Sequence, residues 1–162
     1  MKPSIPSQNT KLLKSLINRK IINVKRHIFK SDMNLDNFEQ MADGTTEIEF
    51  NSGKVICLFA ITEMNSVGIT DGLMEPFGSS YITLELSNNL FWESRVNQEI
   101  EAIDILQSKY ASIDNPSEFG IEFKFQNVTY VCIEYLDEED FPDTIRVLEK
   151  YDNRQCIRQT IR

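Results

Sequence analysis

With 162 residues, 41% of them apolar and 10% aromatic, the chain can bury one core and is too apolar to be disordered throughout. Its 25 acidic and 17 basic side chains leave a net charge of −8, which opposes nucleic-acid phosphates and anionic lipid and favours basic proteins and cations. No apolar run approaches the ~18 residues of a membrane-spanning helix, and the three cysteines, Cys57, Cys132 and Cys156, show no metal-ligand or CxxC spacing, so one domain in a reducing cytoplasm is expected.

Met1 to Ser7 carries two prolines and reads as a loose lead-in. It and the basic stretch after it have no continuous apolar core and no small-residue cleavage pattern, so no secretory leader is expected. Asn9 or Thr10 caps a short helix over Lys11 to Asn18, with Leu12, Leu13, Leu16 and Ile17 as its apolar stripe. Ile21 to Phe29 reads as a strand, and Ser31-Asp32 opens a second short helical turn through Phe38 and Met41. Thr45 to Ala60 is the clearest hairpin. Ile48 and Phe50 alternate with Glu47 and Glu49, Asn51-Ser52-Gly53 supplies the turn, and an unbroken apolar run follows from Val55 to Ile61. Alternation on one arm and continuous apolarity on the other predict an outer strand paired to a buried one. A turn-rich excursion comes next, with one short strand near Val67 to Thr70. Tyr81 to Leu86 is a strand with Ile82, Leu84 and Leu86 on one face, and Asn88-Asn89 marks a turn before the only tryptophan, Trp92.

The hairpin pattern returns at Ile121 to Tyr135. At an offset of 75 residues Phe50 falls on Phe125, Cys57 on Cys132, and Ile56 and Leu58 on Val131 and Ile133. Upstream, at an offset of 79, Asn97 matches Asn18, Ile100 matches Ile21 and Ile103 matches Val24. Glu99 to Gln107, whose apolar spacing also fits a helix, is therefore read as a strand. Two origins stay open: a duplicated unit spanning 17–60 and 96–135, or two amphipathic hairpins alike through patterning alone. Either way the expected fold is mainly β, of α+β type: two antiparallel hairpin units sharing one core, with one or two short helices near the N-terminus. Val55, Cys57, Phe59, Ile82, Leu84, Leu86, Phe123, Phe125, Val131 and Ile133 are the expected core. Thr144 to Tyr151 reads as a strand or a short helix, and Ile157 and Ile161 of the basic C-terminal stretch as inward-facing.

Reaction chemistry is sparse. There is one histidine, His27, between Arg26 and Ile28 in a predicted strand, where it reads as an ordinary strand residue. Phosphate-binding, dinucleotide, zinc-protease and EF-hand patterns are missing, so no enzyme activity, cofactor or metal is expected. Glu47 and Glu49 read as the solvated face of a strand. The cluster Asp137, Glu138, Glu139 and Asp140, with Phe141 beside it, exceeds background and reads either as a patch for a basic protein partner or as a solvated loop that keeps the protein soluble. Asp71 and Glu75, on the turn-rich excursion, are a second candidate patch.

The succession IINVKRHIF, MADGTTEIEFNSGKVICLFAITEMNSVGI and SEFGIEFKFQNVTYVCIEYLDEEDFPDTIRVLEKY resembles bacterial toxin-immunity proteins, above all those of contact-dependent growth inhibition systems. The likeness spans residues 17 to 151, with no short diagnostic motif and no functional residue to carry over. It implies a cytoplasmic protein that binds the C-terminal domain of a cognate toxin, commonly a basic nuclease, and masks its active site. A small-ligand-binding or enzymatic β domain is the alternative, and the sequence does not address oligomeric state.

Overall fold

The computed structural model describes residues 4–74, 77–151 and 156–162. Among the described residues ten strands form two antiparallel sheets. The first contains β1 (Ile21–Phe29), β2 (Gly44–Phe50), β3 (Val55–Ile61), β4 (Ser66–Asp71) and β5 (Tyr81–Glu85), in the order β4-β3-β2-β1-β5. The second contains β6 (Ile100–Ser108), β7 (Gly120–Phe125), β8 (Tyr130–Leu136), β9 (Thr144–Leu148) and β10 (Cys156–Ile161), in the order β10-β6-β7-β8-β9. Each is a four-strand meander whose fifth strand returns to pair with the first. Helices are short: α1 (Thr10–Leu16), α2 (Phe38–Met41) and α3 (Leu90–Glu93). The mainly β architecture expected from patterning is the one observed. The 99–107 segment is strand β6, and the ambiguous 144–151 segment begins with strand β9. Helix α3, in the middle of the chain, was not expected. Asn89 starts it by accepting the Phe91 N–H on its side chain at 2.8 Å.

The equivalence extends to individual hydrogen bonds. Both meanders shift register near the start of their first strand, between Ile21 and Asn23 and between Ile100 and Ala102. Asn18 and Asn97 both have positive φ, and each sends its N–H to the other unit, to Ile100 O at 2.9 Å and Ile21 O at 2.7 Å. Between them Lys20 and Glu99 form an antiparallel bridge.

The two hairpin turns match as well. Gly53 (φ 84) donates to Phe50 O at 2.9 Å, and Val128 (φ 67) donates to Phe125 O at 3.0 Å. A β-branched residue in the left-handed region is strained by about 1–2 kcal/mol, and Val128 is 71% exposed, so packing returns little. After allowance for the greater unfolded-state freedom of glycine, Val128→Gly should stabilise by about 0.5–1 kcal/mol, raising Tm by roughly 1–4 °C. Thermal denaturation reads this, and an unchanged or lower Tm would count against strain at the turn.

One core lies between the sheets. Ile48, Phe50, Ile56, Leu58, Val67 and Ile69 face Ile121, Phe123, Phe125, Val131, Ile133 and Val147, with Leu13, Leu16 and Trp92 joining from the helices. Phe123, Phe125, Val131, Ile133 and Leu86 are buried as expected. In β3 Cys57 is buried as expected, on the outer face, but Val55 and Phe59 are corrected: they are half-buried on that face while Ile56 and Leu58 enter the core. The parity follows from register, since Ile48 of β2 lies opposite Ile56 and cross-strand partners share a face. Ile82 and Leu84 are only half-buried because β5 is an edge strand. Ile161 is buried, but Ile157 is 50% exposed.

One charged side chain crosses between the sheets. Arg26 of β1 is fully buried, and its five N–H groups meet five acceptors. These are Thr46 Oγ1 (3.3 Å), the α2 carbonyls of Glu39 (3.2 Å) and Gln40 (3.1 Å), Gly44 O (2.8 Å), and Ile145 O of β9 in the second sheet (2.7 Å). Burial pushes its pKa down to about 10, against the attraction of Asp43 and Asp32, so it stays charged at neutral pH.

Candidate functional site

The loop between β8 and β9 closes on itself. Glu138 N–H donates to Phe141 O at 3.2 Å, Phe141 N–H donates back to Glu138 O at 3.1 Å, and Asp143 N–H reaches Asp137 Oδ1 at 3.3 Å. A hydrogen-bonded turn thereby presents Asp137, Glu138, Glu139 and Asp140, all four exposed. None of the four makes an ion pair among the described residues. Phe141 is half-buried, with the Arg146 guanidinium 5.6 Å from its ring centre.

Behind the loop the acidity continues. Tyr135 donates its hydroxyl to Asp143 Oδ1, and burial first, then Asp143, Asp137 and Glu63, push the phenol well above its ordinary value. Asp43 accepts the Ile145 N–H at 3.0 Å, yet its carboxyl is raised, chiefly by burial and further by Asp32 and Asp143. A seam of carboxylates therefore runs along the junction of the two sheets. Beside it opens a cleft of about 490 Å³, lined by Phe119, Tyr135, Asp137, Glu138, Lys109 and Tyr110. Tyr110 is 89% exposed, and Ile113 of the same β6–β7 loop is fully exposed. Neither stood out in the sequence, because a lone apolar residue in a loop has no periodic signature.

The second patch lies elsewhere. Asp71 sits at the far end of β4 from Asn65, which lines the cleft, and six residues of strand span roughly 20 Å. Its carboxylate is held by Lys54 Nζ at 2.9 Å. Glu75 lies outside the described residues. The fold thus groups 137–141 with Tyr110 and sets Asp71 apart.

Glu134, under the cleft, is 2% exposed and pairs with Arg146 Nε. Burial raises its carboxyl, and Arg146 offsets only part of that. The folded state then keeps this proton to higher pH than the unfolded chain, so Glu134 lowers stability as pH rises from about 4.3 to its folded value. Glu134→Gln should flatten that part of the stability profile, measured by urea unfolding between about pH 4 and about pH 7. Parallel profiles for variant and parent would refute the assignment.

On the outer face of the first sheet His27 is held at both ring nitrogens. Nδ1 is 2.8 Å from Thr83 Oγ1 on β5, and Nε2 is 2.9 Å from Glu47 Oε2 on β2. The Phe77 ring stacks on the imidazole at 4.4 Å and 17°. The histidine read as an ordinary strand residue is the centre of a three-strand polar relay, and Glu47 is part of that relay rather than of a free solvated face. Cys57 and Cys132 are buried, and burial pushes both thiols up, which makes them poor nucleophiles. Among the described residues no group of side chains is arranged to hold a metal ion, and no helix is long and apolar enough to cross a membrane. No protein-family model, curated protein or solved structure matches the chain.

Proposed function

We propose that the chain is an inhibitor of the toxin-immunity type, which captures a basic protein domain, of nuclease kind, at the acidic end of the second sheet. The observation that carries this reading is the 137–140 turn: four exposed carboxylates with no ion pair among the described residues, beside the exposed Tyr110 that shares their cleft. Unpaired charges steer a basic partner to the surface, and desolvated aromatic and aliphatic side chains then hold it. Asp71, already neutralised by Lys54, is the weaker candidate.

The two contributions separate kinetically. Replacing Asp137 and Asp140 by Asn and Glu138 and Glu139 by Gln should slow association with the cognate toxin domain about tenfold at low salt, a difference that shrinks as salt screens exposed charges. Tyr110→Ala should instead speed dissociation about tenfold or more, with association almost unchanged. Stopped-flow mixing at two salt concentrations measures both. Equal rates for parent and quadruple variant at both salts would mean that the turn is solvated surface and the interface lies elsewhere. The alternative, a small-molecule site, is favoured by one observation, the His27 relay.

A further inference from the structure

Three side chains from three neighbouring strands are brought into one chain of hydrogen bonds, Thr83 to His27 to Glu47. Thr83 lies opposite His27 across β1 and β5, and Glu47 on β2 lies opposite Lys25, one diagonal step from His27 on the same face. The order is that of a nucleophile, a base and a group that orients the base, with both contacts inside the 2.6–3.2 Å range such relays use. Thr83 is exposed, so its hydroxyl is open to solvent, while the side chain of His27 is 12% exposed and that of Glu47 16%. The stacked Phe77 ring restrains the imidazole from a third direction. With Glu47 accepting from Nε2–H, Nδ1 is left as the acceptor facing the threonine hydroxyl, the tautomer a base needs.

The relay opens into a cleft of about 490 Å³, within the range that admits a small organic molecule. Leu73, Met74, Phe77 and Tyr81 give it apolar walls, and Lys25, two residues before His27 on the same strand face, lines it too. Lys25 is half-buried and makes no ion pair among the described residues. It supplies a cation within the cleft for charge that develops on a carbonyl oxygen.

We propose that Thr83, His27 and Glu47 form a nucleophilic relay that cleaves small carboxylic esters with apolar acyl groups. Thr83 Oγ1 attacks the carbonyl carbon while His27 Nδ1 takes the hydroxyl proton. The bond to the alcohol oxygen breaks, and the alcohol leaves with that proton. A water deprotonated by the same nitrogen then opens the acyl-threonine, releasing the carboxylic acid and restoring the hydroxyl. Thr83 and His27 are the catalytic residues in this scheme, and Glu47 is a positioning residue. The proposal does not rest on toxin binding, and its residues are not those of the 137–140 turn.

The test uses the full chain with p-nitrophenyl butyrate and with a fluorophosphonate, whose phosphorus bonds to Oγ1 as fluoride leaves with the hydroxyl proton. The expected results are ester turnover and one covalent adduct per chain, mapped to Thr83 by peptide fragmentation. Thr83→Val, which keeps strand shape, abolishes both, and Thr83→Ser restores both. His27→Gln slows labelling by about a hundredfold or more. Glu47→Gln lowers kcat with KM little changed, and Glu47→Asp recovers part of the loss. Failure of the unmodified chain to label, an adduct on Lys25 instead of Thr83, or undiminished turnover in Thr83→Val would each overturn the proposal. Equal thermal stability of parent and Thr83→Val excludes unfolding as the cause of a loss.

Discussion

Arg26→Met should destabilise the protein by about 3–5 kcal/mol. Methionine fills much of the volume but carries no donors. Four backbone carbonyls and the Thr46 hydroxyl would lose the guanidinium, and Thr46, Gly44 and Ile145 are buried. Two of those carbonyls, Glu39 and Gln40, belong to the last turn of α2, where no intrahelical N–H is available to replace Arg26. A third, Ile145 O, belongs to the other sheet, so the same substitution loosens the junction along which the acidic seam runs. Against a total stability of order 5–15 kcal/mol the loss is large, and Tm should fall by on the order of 10 °C. Lysine keeps the charge but has three donors on a single nitrogen, and Arg26→Lys should recover little. Urea unfolding of the three proteins measures the effect. A value for Arg26→Met within about 1 kcal/mol of the parent would show that the acceptors find other partners.

Gly44→Ala should cost about 3 kcal/mol, the upper end for overpacking, because the obstruction is backbone rather than a side chain that can swing away. A Cβ on Gly44 would lie 2.2 Å from His27 O and 2.7 Å from Ile28 Cα across the β1–β2 ladder. The two strands would have to separate locally, drawing the Gly44 carbonyl away from Arg26, which it meets at 2.8 Å. The two substitutions therefore act on one contact. In Arg26→Met/Gly44→Ala the losses should sum to less than the two single losses by about 0.5 kcal/mol or more. Strict additivity, or a Gly44→Ala variant as stable as the parent, would show that β1 and β2 part without strain.

Much of the fold was legible because periodicity is local. β1 matched its expected bounds, and β6 was recovered only by comparing it with the first unit, since its own apolar spacing fits a helix equally well. The error in β3 is instructive. A continuous apolar run has no alternation to reveal its inward face, so Val55, Cys57 and Phe59 were expected in the core in place of Ile56 and Leu58. The needed information lay in the partner strand, where Ile48 faces in and lies opposite Ile56. The offset match of Ile56 and Leu58 to Val131 and Ile133 pointed the same way.

Site residues were legible only where their signal was compositional. The run Asp137 to Asp140 stands out in any reading, and the fold presents it on an exposed turn. Its neighbour Tyr110 is one letter in a loop, and only tertiary packing brings it to the same cleft. Arg26 carries no local signal in the sequence that sets it apart from other strand cations. Whether its face met water or the α2 carbonyls depended on where residues 38–41 docked.

By itself the sequence determined strand order along the chain, the two-unit pattern, the acidic balance and the lack of short catalytic motifs, because each is written in neighbouring residues or in totals. The tertiary structure alone decided which face of β3 is core, that Arg26 bridges the sheets, and that Asp71 lies away from the acidic turn. It also decided that Thr83, His27 and Glu47 meet, with 56 residues separating Thr83 from His27 and 20 separating His27 from Glu47. The physical reason is that hydrogen-bond register and side-chain contact belong to pairs of strands. A one-residue shift in any of those pairings would have turned each of these side chains to the opposite face.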